Sequence, residues 1–435
     1  MIISLKRYLW LWLALICLLF GQTLFAAEGE ANQERPAGLT VVEINSDSPQ
    51  ETELCYLTMI IKTGYANDPE GKAGLTRLTN ELFYYLTRNG SAFNISYNTL
   101  ADFSIFNFTV TTKNYEDFCK ELDYLIHQDA LLMYDLCNEL IRYHLSEPHP
   151  HSRIALINYE ELIYGNTHPY FTRFNPNYKK LSINDANTWF RLIYRPNNII
   201  IASSRKLPED FLRRPFGRDI AKPVEKNETP KALFENIPSE KFAAIHDNLS
   251  TVIVGFPAPR FDTEECIPTI LIQEYLQEKL WNEIRENSGL CYDLQVNYSC
   301  FYQPAAPNLM VVCQTLPEDT ETVVAKIVNE LKNLVADGIA DTEKNRIIER
   351  GRNNRSVDDD LAAVVMDNAL KVYFNQPWIA DQNTFYDKLE QVSPDQVKTI
   401  MAERLNWLKI SVAGPMEVNE LLKELKPLES QEEAE

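Results

Sequence analysis

Two stretches of this chain run through the same series of residue types, 211 positions apart. Residues 181–204 read LSINDANTWFRLIYRPNNIIIASS, and residues 392–414 read VSPDQVKTIMAERLNWLKISVAG. Each opens on a serine suited to cap a helix, Ser182 or Ser393. Asp185 or Gln396 follows three positions on, close to a capping-box pattern. Each then passes through a helical stretch into a short apolar run, 199–202 or 410–413, such as a strand requires. A duplicated helix–strand unit at this separation calls for two related halves. The length agrees, because 435 residues far exceed what one hydrophobic core organises.

The order of elements repeats between the halves. In the first, 40–42 and 54–62 read as strands, and 64–71 (GYANDPEG) as a turn-rich loop. Leu75, Leu78, Leu82, Phe83 and Leu86 recur at helical spacing. A strand is expected over 103–112, and helices over 115–128, 132–146 and 153–164, with Pro148 and Pro150 breaking the last two apart. In the second half, 251–256 reads as a strand and 269–286 as a long helix. Strands follow over 293–302 and 309–315, a helix over 318–337 with Gly338 as its C-cap, and another from 341 to about 372. Residues 207–236 carry Pro208, Pro215, Pro223 and Pro230 among many charges, as linkers do.

The first residues have the character of a signal segment. Lys6 and Arg7 precede an apolar run over 8–20, which is short for a membrane span, and residues 24–27 (LFAA) offer a small-residue cleavage site. Cys17 lies in that run without the small residues of a lipoprotein box. Removal of the segment leaves an exported, periplasmic protein with no membrane span. A net charge of −20 excludes nucleic acid as a partner, because phosphate contacts need a basic face. Seven cysteines remain, an odd number with no C-x-x-C spacing. Cys300 and Cys313 flank a hairpin turn, where a cross-strand disulfide and two separate buried thiols both fit. His144, His149 and His151 form the one histidine cluster, in a Pro-containing stretch that suits a surface loop better than a metal site.

The stretch 285–292, RENSGLCY, sets a cation and a phenol seven residues apart across a Ser-Gly turn. An Arg fork pairs with carbonyls and carboxylates, and a phenol can donate to a developing oxyanion. With the residues before it, WNEIRENSGLCY, this resembles the substrate-binding signature in the second half of insulinase/pitrilysin-type zinc peptidases, the inverzincins. Three further pieces agree in order: GKAGLTRL at 71–78, YGNTHPY at 164–170 and YRPNN at 194–198. The resemblance spans about 39–415. Members of that family hold zinc through H-x-x-E-H on a helix in the first half. The matching place here is 74–81, GLTRLTNE, where Arg77, Asn80 and Glu81 stand in for His, Glu and His. Arg is donor-only and Asn is no general base, so this metal site reads as degenerate. The family's remaining ligand, a downstream Glu, falls near Asp135 or Glu139.

Some members of the family act as pairs, one subunit holding the metal and the other lacking it, as in mitochondrial processing peptidase and bacterial two-subunit homologues. The resemblance implies an α+β fold of two related domains. Each is a mostly antiparallel sheet covered by helices, and the two face each other across a cavity. It implies a signal peptide over 1–27, a first domain over 36–206, a linker over 207–240, a second domain over 241–425 and an acidic tail over 426–435. It further implies a non-catalytic, substrate-binding subunit of an exported heterodimeric zinc metallopeptidase, with Arg285 and Tyr292 on the peptide backbone. No cofactor would bind this chain, and zinc would sit in the related partner subunit carrying the motif. Cys291 departs from the small residue usual before the tyrosine. A stand-alone peptide-binding or scaffold protein is the rival reading, because fold does not fix function. A hydrolase using His149 or His151 is a third.

Overall fold

The computed structural model describes residues 38–44, 53–88, 93–146, 151–174, 176–213, 240–245, 247–355, 361–379 and 381–415. The signal segment, most of the linker and the acidic tail lie outside the described residues. Two five-stranded sheets form the frame. The first combines β1 (Thr40–Glu43), β2 (Leu54–Ile61), β3 (Phe93–Thr99), β4 (Ser104–Thr111) and β5 (Ile199–Ser203), in the order β1-β5-β2-β4-β3. The second combines β6 (Glu240–Ala244), β7 (Ser250–Pro257), β8 (Cys291–Tyr298), β9 (Asn308–Thr315) and β10 (Lys409–Gly414), in the order β6-β10-β7-β9-β8. The orders are the same once strands are matched along the chain. In each sheet one edge pair is parallel and the other pairings are antiparallel. This is the two-part α+β fold expected from the repeat.

The helices repeat as well. The first half has α1 (Leu75–Arg88), α2 (Tyr115–Ile126), α3 (Tyr134–Ser146), α4 (His151–Tyr164) and α5 (Ile183–Ile193). The second has α6 (Cys266–Leu280), α7 (Thr320–Asp337), α8 (Asp341–Arg355), α9 (Leu361–Phe374), α10 (Gln382–Glu390) and α11 (Pro394–Arg404). The echo that opened the sequence reading is α5–β5 and α11–β10. Ser182 accepts from the Asp185 amide, and Ser393 closes a full capping box with Gln396. Gly338 takes φ +69° just past α7, as a C-cap should. The single helix expected from 341 to 372 is two helices, with 356–360 between them not described. β3 and β6 add strands to those expected, and α3 starts two residues later than its apolar pattern suggests.

Each half lends a helix to the other. α4 lies on the second sheet, and α9 lies on β2 and β5 of the first. Ser411 donates to the Ala155 carbonyl at 2.8 Å, Tyr164 to the Ala306 carbonyl at 2.7 Å, and Tyr373 to the Asp102 carbonyl at 3.2 Å. The apolar core follows this exchange: Ile60, Ile105 and Ile200 of the first sheet belong to one buried cluster with Val254, Leu276 and Val365 of the second half. Gly255 shows how tightly α4 is laid down. A Cβ there would stand 2.3 Å from the Leu309 carbonyl oxygen and 2.4 Å from the Tyr159 hydroxyl, so the contact needs glycine. Both halves line a cavity of about 1090 Å³ between them.

Candidate functional site

α1 carries the positions that matched the metal motif. Its apolar face, with Leu75, Leu78, Leu82 and Phe83, is buried against the first sheet. Asp68 anchors its start, accepting from the Gly74 and Thr76 amides at 2.7 Å each and from the Thr76 hydroxyl at 2.6 Å. Burial pushes the Asp68 carboxyl up to about 7, against the pull of these three donors.

Asn80 is fully buried and belongs to the framework. Its amide nitrogen donates to Thr99 at 2.9 Å and to Ser104 at 2.8 Å, and its oxygen accepts from the Tyr194 hydroxyl at 3.0 Å. Ser104 passes the chain of hydrogen bonds on to the Thr63 carbonyl. An amide suits this spot because it donates and accepts at once.

Glu81, 6% exposed, faces the other way. It accepts from the Arg77 Nε at 3.3 Å and pairs with the His144 Nε2 at 2.6 Å. His144 stacks on Tyr178, with ring centroids 4.5 Å apart and planes at 11°. Here the expectation of Asp135 or Glu139 near the metal place is corrected. Both are exposed on α3. The helical period turns Cys137, Leu140, Ile141 and His144 inward and leaves those two carboxylates on the solvent side. The histidine approaches the degenerate motif from a position 63 residues away. His149 and the side chain of His151 lie outside the described residues.

These residues do not fit a catalytic zinc. The Arg77 guanidinium cannot ligate a cation, the Asn80 nitrogen is engaged, and Glu81 with His144 supplies only two donors where three protein ligands are needed. Among the described residues, no group of three or more His, Cys, Asp or Glu side chains could hold a metal ion.

In the second half Arg285 and Tyr292 flank the turn by which α6 passes into β8. α6 does not end at Leu280 but widens into a π-helical turn over Trp281–Glu286, a feature frequent at functional sites. Gly289 then takes φ +65°, which a side chain would resist, and the chain turns into β8. Leu290 is tied back by its amide to Ile284 and by its carbonyl to Thr315. Tyr292 falls at a register shift between Cys291 and Asp293 on the edge strand and is 59% exposed. A bulge of this kind re-aims a side chain. Arg285 is half-buried, its guanidinium carbon 6.0 Å from the Trp281 ring centre, and its buried Nε has no hydrogen-bond partner among the described residues. No hydrogen bond or ion pair among the described residues joins this corner to Arg77, Asn80 and Glu81 on the other sheet.

The described cysteines, Cys300 and Cys313 included, are free and buried. The sequence reading also missed a buried polar cluster where the halves meet: Glu160 on α4 pairs with Arg173, and Tyr164 with Gln303 and Asn308. Its signal was available. The apolar residues of α4, Ile154 to Ile157, Tyr159, Leu162 and Ile163, do not keep to one face, as in a helix covered on more than one side. Burial pushes the Glu160 carboxyl up, and the Arg173 guanidinium pulls it back.

Residues 180–350 match the family described as peptidase M16 inactive domain. Comparison of the sequence with curated proteins finds no match. Among solved structures, the fold resembles a peptidase M16 inactive domain from Pseudomonas fluorescens, 16% identical with a TM-score of 0.72, over 88% of this chain and 97% of that one. It resembles the periplasmic protease PqqL from Escherichia coli, 13% identical with a TM-score of 0.61, over 87% of this chain and 44% of that one. A chain of Complex III2 from Candida albicans is 14% identical with a TM-score of 0.64, over 89% of this chain and 97% of that one. The match over 180–350 and the two-sheet fold shared with these structures agree with the resemblance to metal-less members of the insulinase/pitrilysin family.

Proposed function

We propose that this chain is the non-catalytic, substrate-binding subunit of an exported heterodimeric zinc metallopeptidase that degrades peptides. The observation that carries the reading is the contrast between the two corners. The metal positions of the first half are taken up by a buried amide and an Arg–Glu–His cluster. In the second half Tyr292 stands exposed on a bulge, and Arg285 lies half-buried on a π-turn with a buried, unpaired Nε among the described residues. A related subunit with the intact motif would supply zinc and the general base, and Arg285 and Tyr292 would hold the peptide backbone beside it. The size relation to PqqL supports a second unit, since this chain spans less than half of that periplasmic protease. The signal-like first residues support export. No helix among the described residues is long and apolar enough to cross a membrane.

The test is peptide hydrolysis by this chain with zinc, and then with an H-x-x-E-H partner added. Activity only in the mixture is expected. Activity of this chain alone would overturn the assignment of α1 as metal-free, and an inactive but assembled pair would favour a scaffold role. In the active pair, Arg285→Ala should leave folding intact and lower kcat/KM by about 1.5–3 kcal/mol, the range for a hydrogen bond to a charged group.

A further inference from the structure

A second cavity, of about 470 Å³, opens over α1, and Arg77, Arg153 and Arg173 all reach its wall. Three guanidiniums around one small cavity are unexpected in a protein of net charge −20. Their charges are unequally met. Arg173 is paired with the buried Glu160. Arg77 offers only its Nε to Glu81, which also serves His144, and its two terminal nitrogens make no hydrogen bond or ion pair among the described residues. The Arg153 guanidinium carbon lies 6.0 Å from the Phe174 ring centre and has no ion-pair partner among the described residues. Asp68, the carboxyl in the wall, is committed to the start of α1. The cavity is therefore cationic.

The walls select among anions. Tyr97, Phe174 and Tyr178 supply apolar faces beside the guanidiniums. Planar Arg forks match a carboxylate or a phosphate in bidentate fashion. Many phosphate sites also offer successive free backbone amides, and Gly74, the glycine of this wall, gives its amide to Asp68, which favours the carboxylate. Asn98, Leu156 and Arg173 line this cavity and the larger one between the halves, so a chain bound at one can continue into the other.

We infer that this cavity receives the C-terminal carboxylate of a peptide, held by Arg77 and Arg153, while the preceding residues run toward the larger cavity. The inference rests on the peptide-binding reading and adds where one end of the peptide is held. Arg77 then supplies a fixed positive charge close to where relatives hold a metal, so that α1 grips peptides instead of cutting them.

The test compares an N-terminally fluorescein-labelled hexapeptide of mixed sequence, made as the free acid and as the C-terminal amide, binding to the full chain by fluorescence anisotropy. The amide should bind about tenfold or more weakly, as expected when a charge-assisted hydrogen bond is lost. Arg77→Ala and Arg153→Gln should each bring the acid toward the affinity of the amide without changing the amide itself. Thermal melts of the two cavity variants check their folding, and either one alone suffices for the comparison. Equal binding of acid and amide, or an acid preference that survives both substitutions, overturns the inference and leaves the peptide-binding reading standing. No binding of either form overturns both.

Discussion

α1 and α6 occupy the same place in their two halves: the next strand along the chain after each is an edge strand, β3 or β8. Their polar residues have gone opposite ways. On α1, Asn80 faces inward and is bonded to three neighbours, and Glu81 is closed over by Arg77 and His144. Beyond α6, Arg285 keeps an unpartnered Nε and Tyr292 stands out from a bulge. One helix has built these polar positions into the framework, and the other leaves Tyr292 outside it. A buried polar group must be satisfied by its surroundings, so such positions, once satisfied, become costly to change. An exposed side chain such as Tyr292 carries no such obligation, whereas the buried Arg285 Nε meets it only if something outside the described residues accepts from it.

Substitutions can break this contrast or sharpen it. The largest effect is expected at Asn80. Asn80→Ala strands the Thr99, Ser104 and Tyr194 hydroxyls and should cost about 3 kcal/mol of unfolding free energy, roughly 1 kcal/mol per buried hydrogen bond. Chemical denaturation measures it, and a loss near zero would show that the amide is not structural. Gly255→Ala comes next, at about 2 kcal/mol, because its Cβ overpacks against the Leu309 carbonyl and Tyr159 where α4 crosses. A full-strength thermal transition in that variant would mean that α4 yields easily. His144→Ala removes the pairing to Glu81 and the stacking on Tyr178, a loss of about 1–2 kcal/mol. The smallest change is at Tyr292. Tyr292→Phe should stay within about 0.5 kcal/mol of the parent in stability, as exposed positions do. It should still slow cleavage by an assembled pair about fivefold, the value of one neutral hydrogen bond near 1 kcal/mol. If Tyr292→Phe destabilised the chain more than Asn80→Ala, the contrast would be reversed.

Much of this was legible in the residues themselves. The capped helix–strand echo foretold two halves, and the apolar spacing on α1 foretold its buried face, because both are local patterns. The exchange of α4 and α9 was not legible. Periodicity tells how much of a helix is covered but not which sheet covers it. β3 was passed over although Phe93, Ile95 and Tyr97 alternate with Asn94, Ser96 and Asn98, since a half-exposed edge strand leaves a weak apolar signal. The His144–Glu81 contact was hidden for another reason. Any inward residue on α3 could meet α1, and only the register of the two helices decides which. The resemblance supplied the Arg77, Asn80 and Glu81 positions, while the sequence could not say that Asn80 would be bonded on both sides.

The lending of α4 and α9 has a consequence for how the molecule could come apart. Each sheet is roofed partly by a helix that belongs, along the chain, to the other half. A cut in the backbone between Arg213 and Glu240 would not release two particles. Each fragment would still be clasped by its neighbour's helix, and a lone fragment would expose the apolar underside that this helix had covered. The two repeats are therefore one inheritance in sequence but a single indivisible object in solution, and a nicked chain should migrate on gel filtration as the intact one does.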